Sequence, residues 1–260
     1  MTTGSIRAIG VIPAHNEEDA IGDVVTRARR HLDAVIVVDD GSRDATSDRA
    51  RDAGAVVLRL DPNRGKGAAL VHGLNAACEL GPEAIVTLDA DGEHDPDAIP
   101  SLLSALEDAD IALGHREVYR SGPRKLLNGL ALFWFQLLDP AIKDTICGFR
   151  AFRTHVVPGL QNDSGGFVFE HEVILRAILA GHRLAPVPIE TSPLASSHVT
   201  PREILRANNH FDRWVLDKLG ELPIPMWRKS LLAIGCVTGL ALGTPAAWVL
   251  GRGERRAVRS

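Results

Sequence analysis

The sequence predicts an α/β protein built on a doubly wound, mostly parallel sheet, with ligands held beyond the carboxyl ends of the strands. Three observations carry this reading. Short apolar runs alternate with helical stretches through the first 115 residues. The runs are β-branched and unbroken by polar residues, as strands covered on both faces are. Each of the first four is followed by a loop of acidic, basic or glycine-rich residues.

Taken in order, strands are expected at Ala8–Ile12, Ala34–Val38, Ala55–Leu60, Ala84–Leu88 and Ile111–Leu113. Helices are expected between them at roughly Asp19–His31, Asp44–Ala53, Gly67–Glu79 and Pro96–Asp108. The loops read Pro13-Ala14-His15-Asn16-Glu17-Glu18, Asp39-Asp40-Gly41-Ser42, Asn63-Arg64-Gly65-Lys66-Gly67 and Asp89-Ala90-Asp91-Gly92-Glu93-His94. Four such loops at one sheet edge predict a site there. The second half is less regular. Leu126–Leu138 is an apolar, helix-like run too short to span a bilayer, Glu170–Ala180 is amphipathic, and Arg183–Ile189 reads as a strand. Ile204–Leu219 sets Leu205, Phe211, Trp214, Val215 and Leu219 among charges, the pattern of an amphipathic helix.

Ser230–Leu250 is uncharged over 21 residues and flanked by Arg228-Lys229 and Arg252 with Arg255-Arg256. At ~1.5 Å per residue it matches a ~30 Å hydrocarbon core, so a membrane span or re-entrant insertion is expected. Pro245 and several glycines keep a buried core helix or hairpin open as the alternative. Gly235, Gly239 and Gly243 fall four apart, a small-residue stripe through which copies of the chain would pack as a homo-oligomer.

Composition narrows the function. Of 260 residues, 45% are hydrophobic and 24% charged, the balance of a globular protein. From Met226 onward the net charge is +5, whereas residues 1–225 carry −9. An acidic body with a basic tail argues against nucleic acid as partner and for an anionic surface at one end. Cys78, Cys147 and Cys236 are scattered, which excludes a disulfide framework and a cysteine-based zinc site. No signal peptide opens the chain, so the N-terminal domain is expected to stay in the cytoplasm.

The acidic loop has the strongest chemistry. Asp89 and Asp91 lie one residue apart after a strand, where alternation would place both on one side, and Glu93 can return through the turn at Gly92. Such carboxylates repel unless a cation sits between them, and hard oxygen ligands point to Mg2+ or Mn2+ with a phosphorylated substrate. An acidic surface loop capping the next helix is the bland alternative. A nucleotide-diphosphate sugar fits the whole set, with Asp40 accepting from base or ribose and Arg116, Arg124 and Lys125 available to the pyrophosphate. Gly65-Lys66-Gly67 lacks the Ser/Thr step of a P-loop, and no GxGxxG follows the first strand.

These strings, with Val37-Val38-Asp39-Asp40-Gly41-Ser42-Arg43-Asp44-Ala45-Thr46, resemble the family 2 glycosyltransferases of the GT-A fold. Gly148-Phe149-Arg150-Ala151-Phe152-Arg153 and Gly166-Phe167-Val168-Phe169-Glu170-His171-Glu172 are similar to the branch that holds dolichol-phosphate mannosyltransferase and polyprenyl-phosphate glycosyltransferases. The resemblance covers about residues 6–190. It implies a GT-A catalytic domain over 1–203; the patterns read above add an amphipathic interfacial segment over 204–229, a transmembrane or membrane-inserted helix over 230–250 and a basic tail over 251–260. It further implies that Pro13, His15, Glu17, Val38 and Asp40 hold the nucleoside, and that Lys66, Ala90 and Arg124 complete the donor site. Asp89, Asp91 and Glu93 would bind metal and diphosphate, and Arg116 would contact phosphate. His15 stands where the family commonly has a tyrosine, and Ser192 and His198 stand where the mannosyltransferases carry Arg and Lys.

Catalysis would then rest on Asp89, Asp91 and Arg116. A lipid phosphate is already an anion, so its attack on the anomeric carbon needs no general base and inverts the sugar. Glu172 and His198 are the acceptor-side candidates. Polyprenyl or dolichyl phosphate as acceptor, membrane lipid as surface, and a catalytic domain on the cytoplasmic face of the cell membrane follow together. Two other readings stand beside this one: a polysaccharide synthase, for which His210-Phe211-Asp212-Arg213-Trp214 approaches a QxxRW string, and a nucleotide-binding adaptor without activity.

Overall fold

Strands β1 (Ala8–Ala14), β2 (Ala34–Asp40), β3 (Val56–Leu60), β4 (Ala84–Thr87), β5 (Ile111–Arg116), β6 (Arg150–Arg153) and β7 (Leu184–Ile189) form one seven-stranded sheet, ordered β3-β2-β1-β4-β6-β5-β7. The computed structural model describes residues 7–116, 132–160, 168–190 and 201–236, the side chains of 201–208 excepted. All neighbouring strands run parallel except β6, which is antiparallel to both β4 and β5. The chain moves outward from β1 to β2 and β3, then crosses to β4. That reversal opens a crevice at the carboxyl ends of β1 and β4.

Alternation along each strand sorts the core into two layers. Ile9, Val11, Ile36, Val38 and Ile85 face one side, where helix α3 (Lys66–Glu79), α5 (132–138), α6 (Val157–Leu160), α7 (Val168–Leu179), α8 (Pro201–Lys218) and α9 (226–236) pack. Ala8, Ile12, Val35, Val37 and Val86 face α1 (Ile21–Ala28), α2 (Thr46–Asp52) and α4 (Ile99–Ala105). Helix α3 approaches the sheet closely at Gly73, where a Cβ would lie 2.5 Å from Val11 and 2.8 Å from Val38. A 3-10 turn, Pro96–Ala98, leads into α4, and Asp95 caps it by accepting from the Asp97 N–H.

Two strand expectations need correction, and a third strand was not expected at all. β3 is an edge strand with Val56 exposed, so it is not covered on both faces. β5 runs to Arg116, three residues beyond its apolar core, because β7 pairs with it along its full length. β6 has no apolar periodicity, with an arginine at each end. It is buried because the Arg150 guanidinium donates to the carbonyls of Cys147, Glu170 and Thr145 at 2.9, 2.9 and 3.4 Å. At the opposite edge, Pro186 and Pro188 of β7 point outward, the position where a missing N–H costs no ladder bond.

The described C-terminal residues, up to 236, pack onto the core. Phe211 and Val215 of α8, Leu222, and Leu232 and Cys236 of α9 share the apolar layer of α3 and α7. Gly235 is used inside the chain: a Cβ there would lie 2.3 Å from the Trp134 ring. Among the described residues no helix is long and apolar enough to cross a membrane. Gly239, Gly243 and the rest of Ser230–Leu250 beyond 236 lie outside the described residues.

The β2 terminus is fastened by Asp39. Its fully buried carboxylate accepts from the Ser42 N–H at 2.8 Å, the Ser47 hydroxyl and Arg59 at 2.8 Å. Burial disfavours its charge, but Ser42, Ser47 and Arg59 outweigh that and hold the carboxyl below its usual range. A lowered folded-state pKa stabilises above the unfolded value of about 3.9 and loses that stability as pH falls through the folded pKa. Asp39→Ala is expected to cost ~3 kcal/mol at neutral pH in urea denaturation. The variant should also lose less further stability than the wild type between pH 5 and pH 3.

Candidate active site at the carboxyl edge of the sheet

The β1 and β2 termini are stitched together before any ligand arrives. Pro13 pairs in register with Val38, whose side chain is buried against α3, so only its backbone faces the edge. His15 Nδ1 donates to the Asp40 carbonyl at 2.8 Å, and its Nε2 accepts from Asn16 Nδ2 at 3.1 Å. The Asn16 and Glu17 N–H groups donate to the Ser42 and Thr46 hydroxyls at 2.9 and 2.8 Å. The exposed His15 ring and the half-buried Glu17 therefore border the Asp40 terminus on a fixed loop.

Asp40 also has partners within the chain. Its carboxylate oxygens accept from the Arg64 and Gly65 N–H groups, both at 2.7 Å. Gly65 has a φ of +88°, a conformation that glycine adopts freely. Asp40 thereby folds the Asn63–Gly65 loop back onto β2 and delivers Lys66, the first residue of α3, to the crevice. The ammonium of Lys66 lies 2.7 Å from Asp89 Oδ1 and 3.0 Å from Glu170 Oε1.

Asp89, Asp91 and Glu93 do not share one cluster. β4 ends at Thr87, so a bend carries the acids and strand alternation does not position them. Asp89 turns inward between Lys66, the Gly148 backbone and His94, whose Nδ1 lies 3.9 Å from Oδ2. Burial disfavours its charge, but Lys66 and then His94 overcome that and hold its carboxyl low. Asp91 accepts from the Glu93 N–H at 2.9 Å, and its pKa is raised by burial and by the charges of Asp89 and Glu93. Glu93 reaches Arg116 at 3.1 Å. Ala90, between the two aspartates, is buried.

Arg116 is held by a partner the sequence did not reveal. Asp144 accepts from its Nε at 2.8 Å and from its Nη2 at 3.2 Å, a two-pronged grip that also links β5 to the segment before β6. His94 was equally unforeseen. Its Nε2 lies 3.6 Å from Cys147 Sγ, and although burial opposes its charge, Cys147, Asp89 and Glu93 push its pKa up to about 9. Glu170, not Glu172, reaches the crevice. Two residues along a helix turn a side chain by about 200°, so Glu172 faces away, bound to Arg176 at 2.6 and 2.9 Å with His210 at 3.4 Å. Arg124, Lys125, Ser192 and His198 lie outside the described residues.

Oxygen donors dominate the acidic loop, which suits Mg2+ or Mn2+ over softer metals. Among the described residues no three His, Cys, Asp or Glu side chains converge as a cage. The expected triad is divided because Lys66 holds Asp89 and Arg116 holds Glu93. Asp91 fits a hard cation best, since crowding by like charge raises its pKa and a bound cation would relieve that.

Gly148 sets the position of Asp89. A Cβ at Gly148 would lie 2.9 Å from Oδ1 and 3.0 Å from Oδ2. Gly148→Ala is expected to displace that carboxylate and lower turnover about 100-fold, the scale of a 1 Å misplacement. The circular dichroism spectrum and melting temperature should stay near wild type; unchanged turnover would mean that the placement of Asp89 is not used.

Comparison with known proteins gives the family. The chain is 30% identical over 201 residues to undecaprenyl-phosphate mannosyltransferase of Micrococcus luteus, covering 71% of this chain and 83% of that one. It is 27% identical over 241 residues to UDP-N-acetylglucosamine–dolichyl-phosphate N-acetylglucosaminyltransferase of Methanococcus voltae, covering 82% and 96%. The fold matches glucosyl-3-phosphoglycerate synthase of Mycobacterium tuberculosis, solved with Mn2+, UDP and phosphoglyceric acid, at a TM-score of 0.67 and 21% identity over 85% of this chain and 80% of that one. Residues 11–157, which carry every loop described above except the α7 acids, match the model of glycosyl transferase family 2. The chain belongs to that family and is a glycosyltransferase.

Proposed function

We propose that the protein moves a sugar from a GDP- or UDP-sugar to a polyprenyl or dolichyl phosphate, with metal dependence and inversion at the anomeric carbon. The observation that carries this reading is the match across 83% of a relative named for undecaprenyl-phosphate mannosyl transfer. The site chemistry supports it. Lys66 and Arg116 bring positive charge to the edge where a diphosphate would lie. Asp144 holds the Arg116 guanidinium in one orientation, so its donors are set before the donor sugar arrives. A cation bound by Asp91 with Asp89 would neutralise the charge that builds on the departing nucleoside diphosphate.

The choice of acceptor turns on the fate of one proton. A hydroxyl nucleophile needs a base to take its proton, and a phosphate anion does not. Glu172, the acidic acceptor-side candidate, pairs with Arg176 and His210. A lipid-phosphate acceptor asks only for a positioned anion and a stabilised leaving group.

Helix α9 supports action at a membrane. Met226, Trp227, Leu231 and Ile234 are exposed on it, while Leu232 and Cys236 face the core. Trp227, Leu231 and Ile234 recur at i, i+4 and i+7, one outward apolar stripe. Arg228 lies over the Trp227 ring at 5.3 Å, and Lys229 follows, so the stripe carries cations suited to an anionic lipid surface. We place this surface on the cytoplasmic face of the cell membrane.

With a GDP- or UDP-sugar labelled in its sugar, a polyprenyl phosphate and Mn2+, label is expected in an organic-extractable product labile to mild acid. Label in a water-soluble polymer would overturn the acceptor assignment. Asp91→Ala should lower transfer at least about 1000-fold with folding intact, as loss of a metal-holding group does. The pair Trp227→Glu and Ile234→Glu, both on the outward stripe, should reduce co-sedimentation with phosphatidylglycerol vesicles about tenfold or more while leaving the melting temperature within a few degrees.

A further inference from the structure

The ammonium of Lys66 joins three elements. It projects from the start of α3, lies 2.7 Å from Asp89 after β4, and lies 3.0 Å from Glu170 in the first turn of α7. Glu170 is 2% exposed, a depth at which a carboxylate is costly unless a cation answers it. Arg150 does not fill that role directly, because its Nη1 donates to the Glu170 main-chain carbonyl at 2.9 Å. Asp89 is enclosed by Gly148 on one side and His94 on another. One lysine therefore serves two carboxylates, of which only Asp89 belongs to the acidic loop.

Two cations cannot both sit within bonding distance of one carboxylate oxygen without strong repulsion. A divalent ion that takes Asp89 Oδ1 must move Lys66, whose ammonium already lies 3.0 Å from Glu170 Oε1. Lysine suits such an exchange, since its charge is compact and its stem flexible. We propose that Lys66 is a resident counter-ion for Asp89, displaced toward Glu170 and the donor diphosphate when a divalent cation binds, and that Glu170 is the positioning residue for that exchange. This rests on the metal-dependent reading above. Asp89 then stays charged throughout, and the positive charge released from it is carried to the phosphates.

The test is Mn2+ binding to the full-length protein, read from the paramagnetic resonance signal of free Mn2+, first alone and then with GDP or UDP. Lys66→Met is expected to tighten Mn2+ binding without nucleotide about tenfold, the scale of one nearby charge in a partly solvated site. At saturating Mn2+, the same variant should bind GDP or UDP about tenfold more weakly. Glu170→Gln should weaken Mn2+ binding without nucleotide, because Lys66 then rests on Asp89 alone. In the Lys66→Met background, Glu170→Gln should change Mn2+ affinity little, and this double variant also removes both buried charges together, so it guards against misfolding. If Lys66→Met leaves Mn2+ affinity unchanged or lower, or if Glu170→Gln acts equally in both backgrounds, the exchange is refuted. Wild-type protein that takes up no Mn2+ with or without nucleotide would instead defeat the proposed function.

Discussion

Excess negative charge at one edge of the sheet is the constraint around which this chain is arranged. The topology brings Asp40, Asp89, Asp91, Glu93, Asp144 and Glu170 to the carboxyl ends of β1, β2 and β4 and to the segments beside them. Nearly every acid is answered by the chain itself. Backbone N–H groups of the glycine loop answer Asp40. Lys66 answers Asp89 and Glu170, and Arg116 answers Glu93 and Asp144. The conformation of Gly65, the bareness of Gly148 and the entry of β6 all serve to bring these partners close enough. An edge balanced in this way can exchange one cation for another without ever exposing a naked carboxylate in a half-dry crevice.

Much of this was legible in the residues, for a definite reason. The apolar stretches of β1, β2 and β4 are uncharged and buried, and burial on both faces removes the alternation that would confuse them with surface strands. The loops that follow them are polar because the sheet stops shielding them there. What stayed hidden was pairing between distant residues. Nothing in the spacing of Arg116 and Asp144 says they meet, and β6 carries charges that only its carbonyl partners make tolerable. Glu170 and Glu172 are indistinguishable by type and neighbourhood; the turn of the helix alone decides which one enters the site. Asp89 and Asp91 were expected side by side because β4 was read one residue too long, and a bend separates their surroundings.

The layer that supplies Glu170 also carries the outward apolar stripe. Helices α5, α7, α8 and α9 form one face of the protein, joined through Phe135, Val173, Phe211, Val215 and Leu232. Glu172 ties α7 to α8 through His210. The outward apolar stripe and the buried acid that pairs with Lys66 are thus parts of one packed slab. One apolar layer is therefore continuous from the outward stripe of α9 to α3 and α7, which carry Lys66 and Glu170, while α1, α2 and α4 pack on the other face of the sheet.

Strand order has a last consequence, for the history of the molecule as it is made. β3, β2, β1 and β4 can pair as soon as residue 87 has left the ribosome, since each finds its neighbour among residues already present. β5 finds none: its two partners are β6 and β7, some 40 and 70 residues later. A half-sheet with the open edge of β4 must therefore wait for the second half of the chain, and the slow, long-range closure falls on the step that also completes the active edge. Translation that pauses between β5 and β6 would leave that unpaired edge exposed, and a chaperone acting on this protein would find its work there.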